Sequence, residues 1–136
     1  MPKFTQDMKD IMEKSQTFII ATANKHGKPN GIPAGAFIVS DDEILIIDYL
    51  MNKTRKNIDE NPVVSITAWD LSVHYGYQFK GEAKVETSGK MFDMAVNIYN
   101  SKFGSGDLKL TIKAAIIVKV EEAYYIGTKN SSNNLL

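Results

Sequence analysis

The stretch Asn52-Lys53-Thr54-Arg55-Lys56-Asn57-Ile58-Asp59-Glu60-Asn61 holds the residues best suited to chemistry. Asn52 in front and Pro62 behind frame a helix, and on that helix the charges run backwards. Lys53, Arg55 and Lys56 crowd the first turn, where the peptide dipoles already sum to a positive end. Asp59 and Glu60 fall in the last turn, where the end is negative. The i,i+4 pairs Arg55–Asp59 and Lys56–Glu60 recover part of the loss, in the weaker orientation with the cation on the N-terminal side. The remaining deficit asks for an anion. Unpaired backbone N–H groups at a helix start, joined by Lys53, Lys56 and the Thr54 hydroxyl, make a phosphate site. The same residues also describe a solvated basic turn, because short basic motifs are common. The preceding residues favour the first reading. Tyr49-Leu50-Met51 and a buried strand lead straight into Lys53, so a phosphate held there places the rest of its molecule against strand ends and apolar side chains.

Other chemistries find little support. His26 and His74 are the only histidines, cysteine is absent, and no His-x-x-x-His or Glu-x-x-His spacing exists, so no metal site is expected. No Gly-x-Ser-x-Gly elbow accompanies either histidine, which removes the usual serine-hydrolase arrangement. Tyr75, Tyr77 and Phe79 alternate as a base-stacking platform would, but 16 Lys+Arg against 16 Asp+Glu leave no basic footprint, so core packing is preferred and no nucleic-acid partner is expected. Trp69 is read as core or interface. At 136 residues, with 43% hydrophobic and 24% charged, the chain has the composition of one ordinary globular domain. The charged start and the short apolar runs Ile44–Ile47 and Ala114–Val118 give neither a leader nor a membrane span, and a cytoplasmic protein is expected.

The elements that must position these residues follow from periodicity. Phe4, Met8, Ile11 and Met12 mark a first helix over about Thr5–Lys14, capped by Thr5. Thr17–Asn24 and Asn30–Val39 form a hairpin around Asn24-Lys25-His26-Gly27-Lys28. Glu43–Tyr49 contains four consecutive aliphatics, the mark of a strand covered on both faces. Val63–Trp69 resumes a β pattern after the basic helix. Tyr75–Thr87 alternates most cleanly, with Tyr75, Tyr77, Phe79, Gly81, Ala83 and Val85 on one face. Ser88 caps a third helix to about Tyr99, with the stripe Met91, Phe92, Ala95, Ile98 and Tyr99. Ile112–Val120 and Ala123–Ile126 are the last two strands, and Lys129–Leu136 is a loose tail. The expected class is mainly β with peripheral helices: an antiparallel barrel with two to three helices outside, residues 1–128 forming one domain and 129–136 the tail. Pairing of barrel sides would protect edges, which makes a homodimer the expected assembly.

The order of Ile20–Asn30, Pro33-Ala34-Gly35-Ala36-Phe37, Asp48-Tyr49, Lys53–Ile58, Asn61-Pro62 and Gly76-Tyr77-Gln78-Phe79-Lys80-Gly81 resembles the pyridoxamine 5'-phosphate oxidase-like, FMN-binding split-barrel family from about Thr17 to Val120. The resemblance implies a six-stranded antiparallel split β-barrel and a homodimer with an FMN in each of two interface clefts. On that model Lys53, Thr54, Lys56 and Asn57 take the FMN phosphate. The flavin ring meets main-chain groups around Ile32, Pro33, Ala34 and Gly35, together with Asp48 and Tyr49, and Tyr77 and Gln78 approach from the partner chain. The small side chains at Ala34 and Gly35 suit a close backbone approach, although a glycine in a strand equally marks a bulge.

Two departures narrow the activity. Many relatives resemble Pro-Lys-Gly where this chain has Pro33-Ala34-Gly35, and the C-terminal Arg and His residues of the oxidases have no counterpart beyond Val120. Both argue against pyridoxamine 5'-phosphate oxidase activity itself. The resemblance leaves three classes: a small FMN-dependent oxidoreductase, a non-catalytic FMN carrier, or a relative that binds F420 or haem in the same cleft. In the first, the flavin supplies the hydride chemistry and the protein mainly positions it.

Overall fold

The computed structural model describes residues 4–15, 18–103, 112–128 and 133–136. Its elements in chain order are α1 (Gln6–Lys14), β1 (Phe18–Ala23), β2 (Pro29–Ala34), β3 (Ala36–Ile38), β4 (Glu43–Asp48), α2 (Lys53–Glu60), β5 (Val63–Asp70), β6 (Tyr75–Glu86), α3 (Lys90–Phe103) and β7 (Ala114–Ile126). All seven strands lie in one antiparallel sheet of order β2-β1-β5-β6-β7-β4-β3. The two outermost strands, β2 and β3, are consecutive in the chain and separated only by Gly35. Two residues two apart cannot be more than about 7 Å from each other, so the sheet must curl until its edges meet. This is a split barrel with peripheral helices, and it needs no seventh independent strand: the expected strand Asn30–Val39 is one segment that breaks at Gly35 and serves both edges.

Alternation along the strands sorts two cores. Ile44 and Ile46 of β4 point into the barrel with Ile20, Ile66, Phe79, Ile116, Val118 and Val120. Leu45 and Ile47 point outwards, where α3 covers them with Ala95 and Tyr99, and Ala115 and Ile117 of β7 join them. The run of four aliphatics is therefore buried on both faces. α3 runs Lys90–Phe103, beginning after Gly89 at φ 91° and extending past the expected end at Tyr99; Met94, rather than Phe92, joins Met91, Ala95, Ile98 and Tyr99 in that cluster. The two expected C-terminal strands are a single β7, whose pairing with β6 shifts register between Lys80 and Gly81, the bulge that mimics a turn in the sequence. Of the tail, 129–132 lie outside the described residues. Residues 133–136 fold back on β7: Asn134 Oδ1 accepts from the Ala123 N–H at 3.0 Å, the Leu135 N–H donates to the Ala123 carbonyl at 2.8 Å, and Leu136 packs on the barrel core.

α1 closes one end of the barrel through Met8, Ile11 and Met12. Thr5 caps it, its Oγ1 accepting from the Met8 N–H at 3.2 Å. The Tyr75 hydroxyl donates to Asp7 Oδ1 at 2.9 Å and the Tyr77 hydroxyl donates to Oδ2, latching the helix to β6. Burial, and then the Asp7 carboxylate, hold the Tyr77 phenol above the ordinary 10.0. A raised folded-state pKa means stability that is fully present below the unfolded value of 10.0 and is lost as pH rises beyond it. Tyr77→Phe is expected to cost about 1 kcal/mol at neutral pH. The melting curves of the two proteins should converge as the pH is taken above 10.0. Among the described residues no helix is long and apolar enough to cross a membrane.

Candidate functional site

β2 and β4 lie side by side, but no hydrogen-bond ladder joins them: β2 pairs only with β1, and β4 with β3 and β7. The seam leaves backbone N–H and C=O groups of β2 without strand partners. Three adjoining hollows follow it. The first, of about 250 Å³, lies between the β1–β2 hairpin and α2 and is lined by Asn24, Lys28, Pro29, Asn30, Lys53, Lys56, Asn57 and Glu60. The second, of about 230 Å³, shares Asn30 and Lys53 with the first and adds Ile32, Leu50, Met51, Asn52 and Thr54. The third, of about 280 Å³, shares Ile32, Leu50 and Met51 with the second and ends at Pro33, Ala34, Ile47 and Tyr49. Each alone is below the roughly 300 Å³ at which small-ligand clefts begin, and together they pass it. The groove is basic at one end and apolar at the other.

α2 presents the basic end because Lys53, Lys56, Asn57 and Glu60 are spaced i, i+3, i+4 and i+7, which stacks them on one face. Its first turn holds no carboxylate and its last turn no cation, as expected of the reversed charge order. The expected helical pairs do not form among the described residues; Arg55 instead reaches Asp48, its Nη1 donating to Oδ2 at 2.6 Å, and Glu60 Oε2 accepts from the Lys25 N–H at 3.2 Å. Asn52 occupies the N-cap position without a side-chain cap hydrogen bond. Two polar contacts, one buried and one partly buried, seat the helix on the hairpin. Asn57 Nδ2 donates to Thr22 Oγ1 at 3.1 Å, and Asn30 Nδ2 donates to Thr54 Oγ1 at 3.1 Å. A hydroxyl that accepts still has its own O–H to donate, so Thr54 keeps a donor. Lys28, Lys53 and Lys56 are exposed at the rim.

Eight of the residues singled out in the sequence therefore meet along one groove: Ile32, Pro33, Ala34, Tyr49, Lys53, Thr54, Lys56 and Asn57. Four stand elsewhere. Gly35 sits at the bend between β2 and β3 and lines none of the hollows. Asp48 is fully buried behind the groove, accepting from Arg55 and from the Met51 N–H at 3.1 Å. Tyr77 points into the barrel, stacked on Phe79 and donating to Asp7. Gln78 is on the outer face of β6, opposite Thr67 and Tyr124. Neither Tyr77 nor Gln78 lines the groove of its own chain. Lys28, Asn24 and Asn30 were not read as site residues. Their only sequence signal is the hairpin itself; the fold places them beside a helix that begins 23 to 29 residues later in the chain.

Comparison with known proteins gives a consistent result. A family model described as pyridoxamine 5'-phosphate oxidase matches residues 4–127. The uncharacterised protein MJ0282 of Methanocaldococcus jannaschii is 36% identical over 137 aligned positions, covering 98% of this chain and 88% of the relative. Among solved structures, HupZ of Group A Streptococcus superposes with a TM-score of 0.81 at 26% identity, covering 92% of this chain and 95% of that one. An FMN-binding protein from Syntrophomonas wolfei gives 0.73 at 13% identity, covering 89% of each chain. Two further structures share the fold: an F420 reductase at a TM-score of 0.70 and 12% identity, covering 89% of this chain and 98% of that one, and HutZ, the haem storage protein of Vibrio cholerae, at 0.69 and 16%, covering 94% and 99%.

Proposed function

Since the chain belongs to the pyridoxamine 5'-phosphate oxidase family, we propose that it is an FMN-binding flavoprotein acting as a small oxidoreductase. The observation that carries this reading is the single groove with cations at one end and an apolar wall beside free strand backbone at the other. The fit is chemical. A phosphate needs charged donors, and Lys28, Lys53, Lys56 and the Thr54 hydroxyl converge on one hollow or its neighbour. A flat heteroaromatic ring needs apolar contact on its faces and hydrogen-bonding groups at its edge. Ile47, Tyr49 and Met51 offer the first, and the outward main-chain groups of edge strand β2, which alternate with those paired to β1, the second. When bound, the flavin supplies the hydride or electron chemistry. The chain's residues hold the anion, orient the ring along β2 and keep water from the apolar end.

The assembly proposed is a homodimer. Ile19 is 43% exposed on β1, between Pro33 of β2 and Thr67 of β5, and Leu50 is 68% exposed at the groove. A second copy laid on this face would bury both and cover the open side of the apolar hollow. Tyr77 and Gln78 are not part of this reading of the site.

The test is the absorption spectrum of freshly purified protein, followed by addition of a nicotinamide donor. Flavin bands that bleach with the donor and recover with an acceptor support the oxidoreductase. Flavin bands without turnover support a carrier. A colourless protein that takes up F420 or haem, and not FMN, overturns the choice of cofactor.

A further inference from the structure

Asp48 is fully buried, and its two oxygens brace separate parts of the groove. Oδ1 accepts from the Met51 N–H at 3.1 Å, fixing the turn 49–52. Oδ2 accepts from Arg55 Nη1 at 2.6 Å, fixing α2. Tyr49, Leu50 and Met51 line the apolar hollow, while Lys53 and Lys56 line the basic one. Arg55 itself lines neither. At about 100° per residue it stands roughly 200° round the helix from Lys53, on the side away from the lysine face. One carboxylate therefore ties together the wall of one hollow and the helix that carries the cations of the other.

The pair is poorly designed for stability alone. Removing charges from water costs several kcal/mol per ion, and apolar replacements of buried pairs are often neutral or better. Arg55 Nε adds to that cost: it is buried and meets no hydrogen-bond partner among the described residues. Asp48 bears that cost in full, while Arg55 keeps 26% of its side chain exposed; a partly buried contact kept in spite of it is suited to setting geometry. We propose that Asp48 and Arg55 are positioning residues that set the spacing and orientation between the two ends of the groove, so that a ligand with both a phosphate and a ring engages both at once. The inference rests on the FMN reading of the same site.

The consequence is a coupling between the two ends. FMN, which has the phosphate, senses the spacing; riboflavin, which lacks it, senses the apolar end alone. Arg55→Met is expected to lower FMN affinity about tenfold in equilibrium titrations of the apoprotein and to leave riboflavin affinity within about twofold. The contact uses one Nη only, so the ammonium of Arg55→Lys can replace it, and this variant is expected to restore most of the FMN-to-riboflavin ratio. Asp48→Asn, which keeps an oxygen for the Met51 N–H and removes the charge, provides a second route to the same loss if Arg55→Met does not fold. A ratio that falls in both variants and recovers with lysine supports the proposal. An unchanged ratio, or FMN and riboflavin weakening in parallel, overturns it and leaves the pair a structural one. A wild-type protein that binds neither flavin overturns the FMN reading, and this inference with it, which separates the two failures.

Discussion

Lys53→Ala combined with Lys56→Ala is expected to weaken FMN binding by roughly 100-fold or more, with the apoprotein folded and no less stable than the wild type. Each lysine offers the phosphate a charge-assisted contact, worth about 1.5–3 kcal/mol. Both side chains are exposed, so the low end applies, and two contacts at that end give about 3 kcal/mol, or some two powers of ten in affinity. Stability should move the other way. The lysines sit in a first turn with no carboxylate, against the positive end of the helix dipole. Alanine is the better helix former, so truncation relieves a conflict and removes no buried contact. The measurements are flavin titration for affinity and thermal melting for the apoprotein. The wild-type affinity should also fall with salt more steeply than that of the double variant, because exposed charges are screened over about 10 Å at 0.1 M. Unchanged affinity in a folded double variant would reject the phosphate assignment, even if the groove still held the ring.

Gly81→Ala and Gly76→Ala are each expected to destabilise the fold severely. A Cβ built on Gly81 stands 1.9 Å from the Lys119 carbonyl oxygen and 2.7 Å from its carbon. Those atoms belong to β7 at the register shift of the β6–β7 ladder, and a ladder carbonyl cannot withdraw without breaking its pairing. Gly76 meets the same obstacle on the other side of β6, where its Cβ stands 1.9 Å from the Ala68 oxygen in β5. β6 joins these two neighbours at the middle of the sheet, so separation there opens the barrel core. The expected cost is roughly 4 kcal/mol or more, a fall in Tm of about 12–16 °C. Gly35→Ala is the control. Its Cβ meets only the Phe37 ring at 3.5 Å and its φ is not positive, so a change within about 1 kcal/mol is expected there. Melting of the three variants side by side tests the contrast; a Gly81→Ala protein as stable as Gly35→Ala would show that the ladder yields.

The two glycines also show what periodicity could and could not reveal. Gly81 falls on the inward face of the alternating strand, as the pattern requires, yet the neighbouring carbonyl that excludes a side chain comes from a residue 38 positions later. The bulge that brings it there made one long strand look like two. In the same way Gly35 looked like an allowance for ligand approach or a bulge, and proved to be where one extended segment passes from one edge of the sheet to the other. Arg55 was matched with Asp59 because helical neighbours are the only partners a sequence displays; its actual partner, Asp48, lies before the turn.

What the amino-acid order determined by itself was everything with a short period. The alternation of β6, the doubly buried run Ile44–Ile47, the capped first helix and the misplaced charges of α2 each depend on residues within one or two turns of one another. The basic end of the groove was legible for that reason. Tertiary structure alone decided the seam between β2 and β4, the joining of Lys28 to Lys53 and Lys56, the withdrawal of Asp48 from the groove, and the anchoring of residues 133–136 on β7. Those follow from which strands are left without partners when a sheet curls shut, and strand pairing over long separations leaves no local trace in the chain.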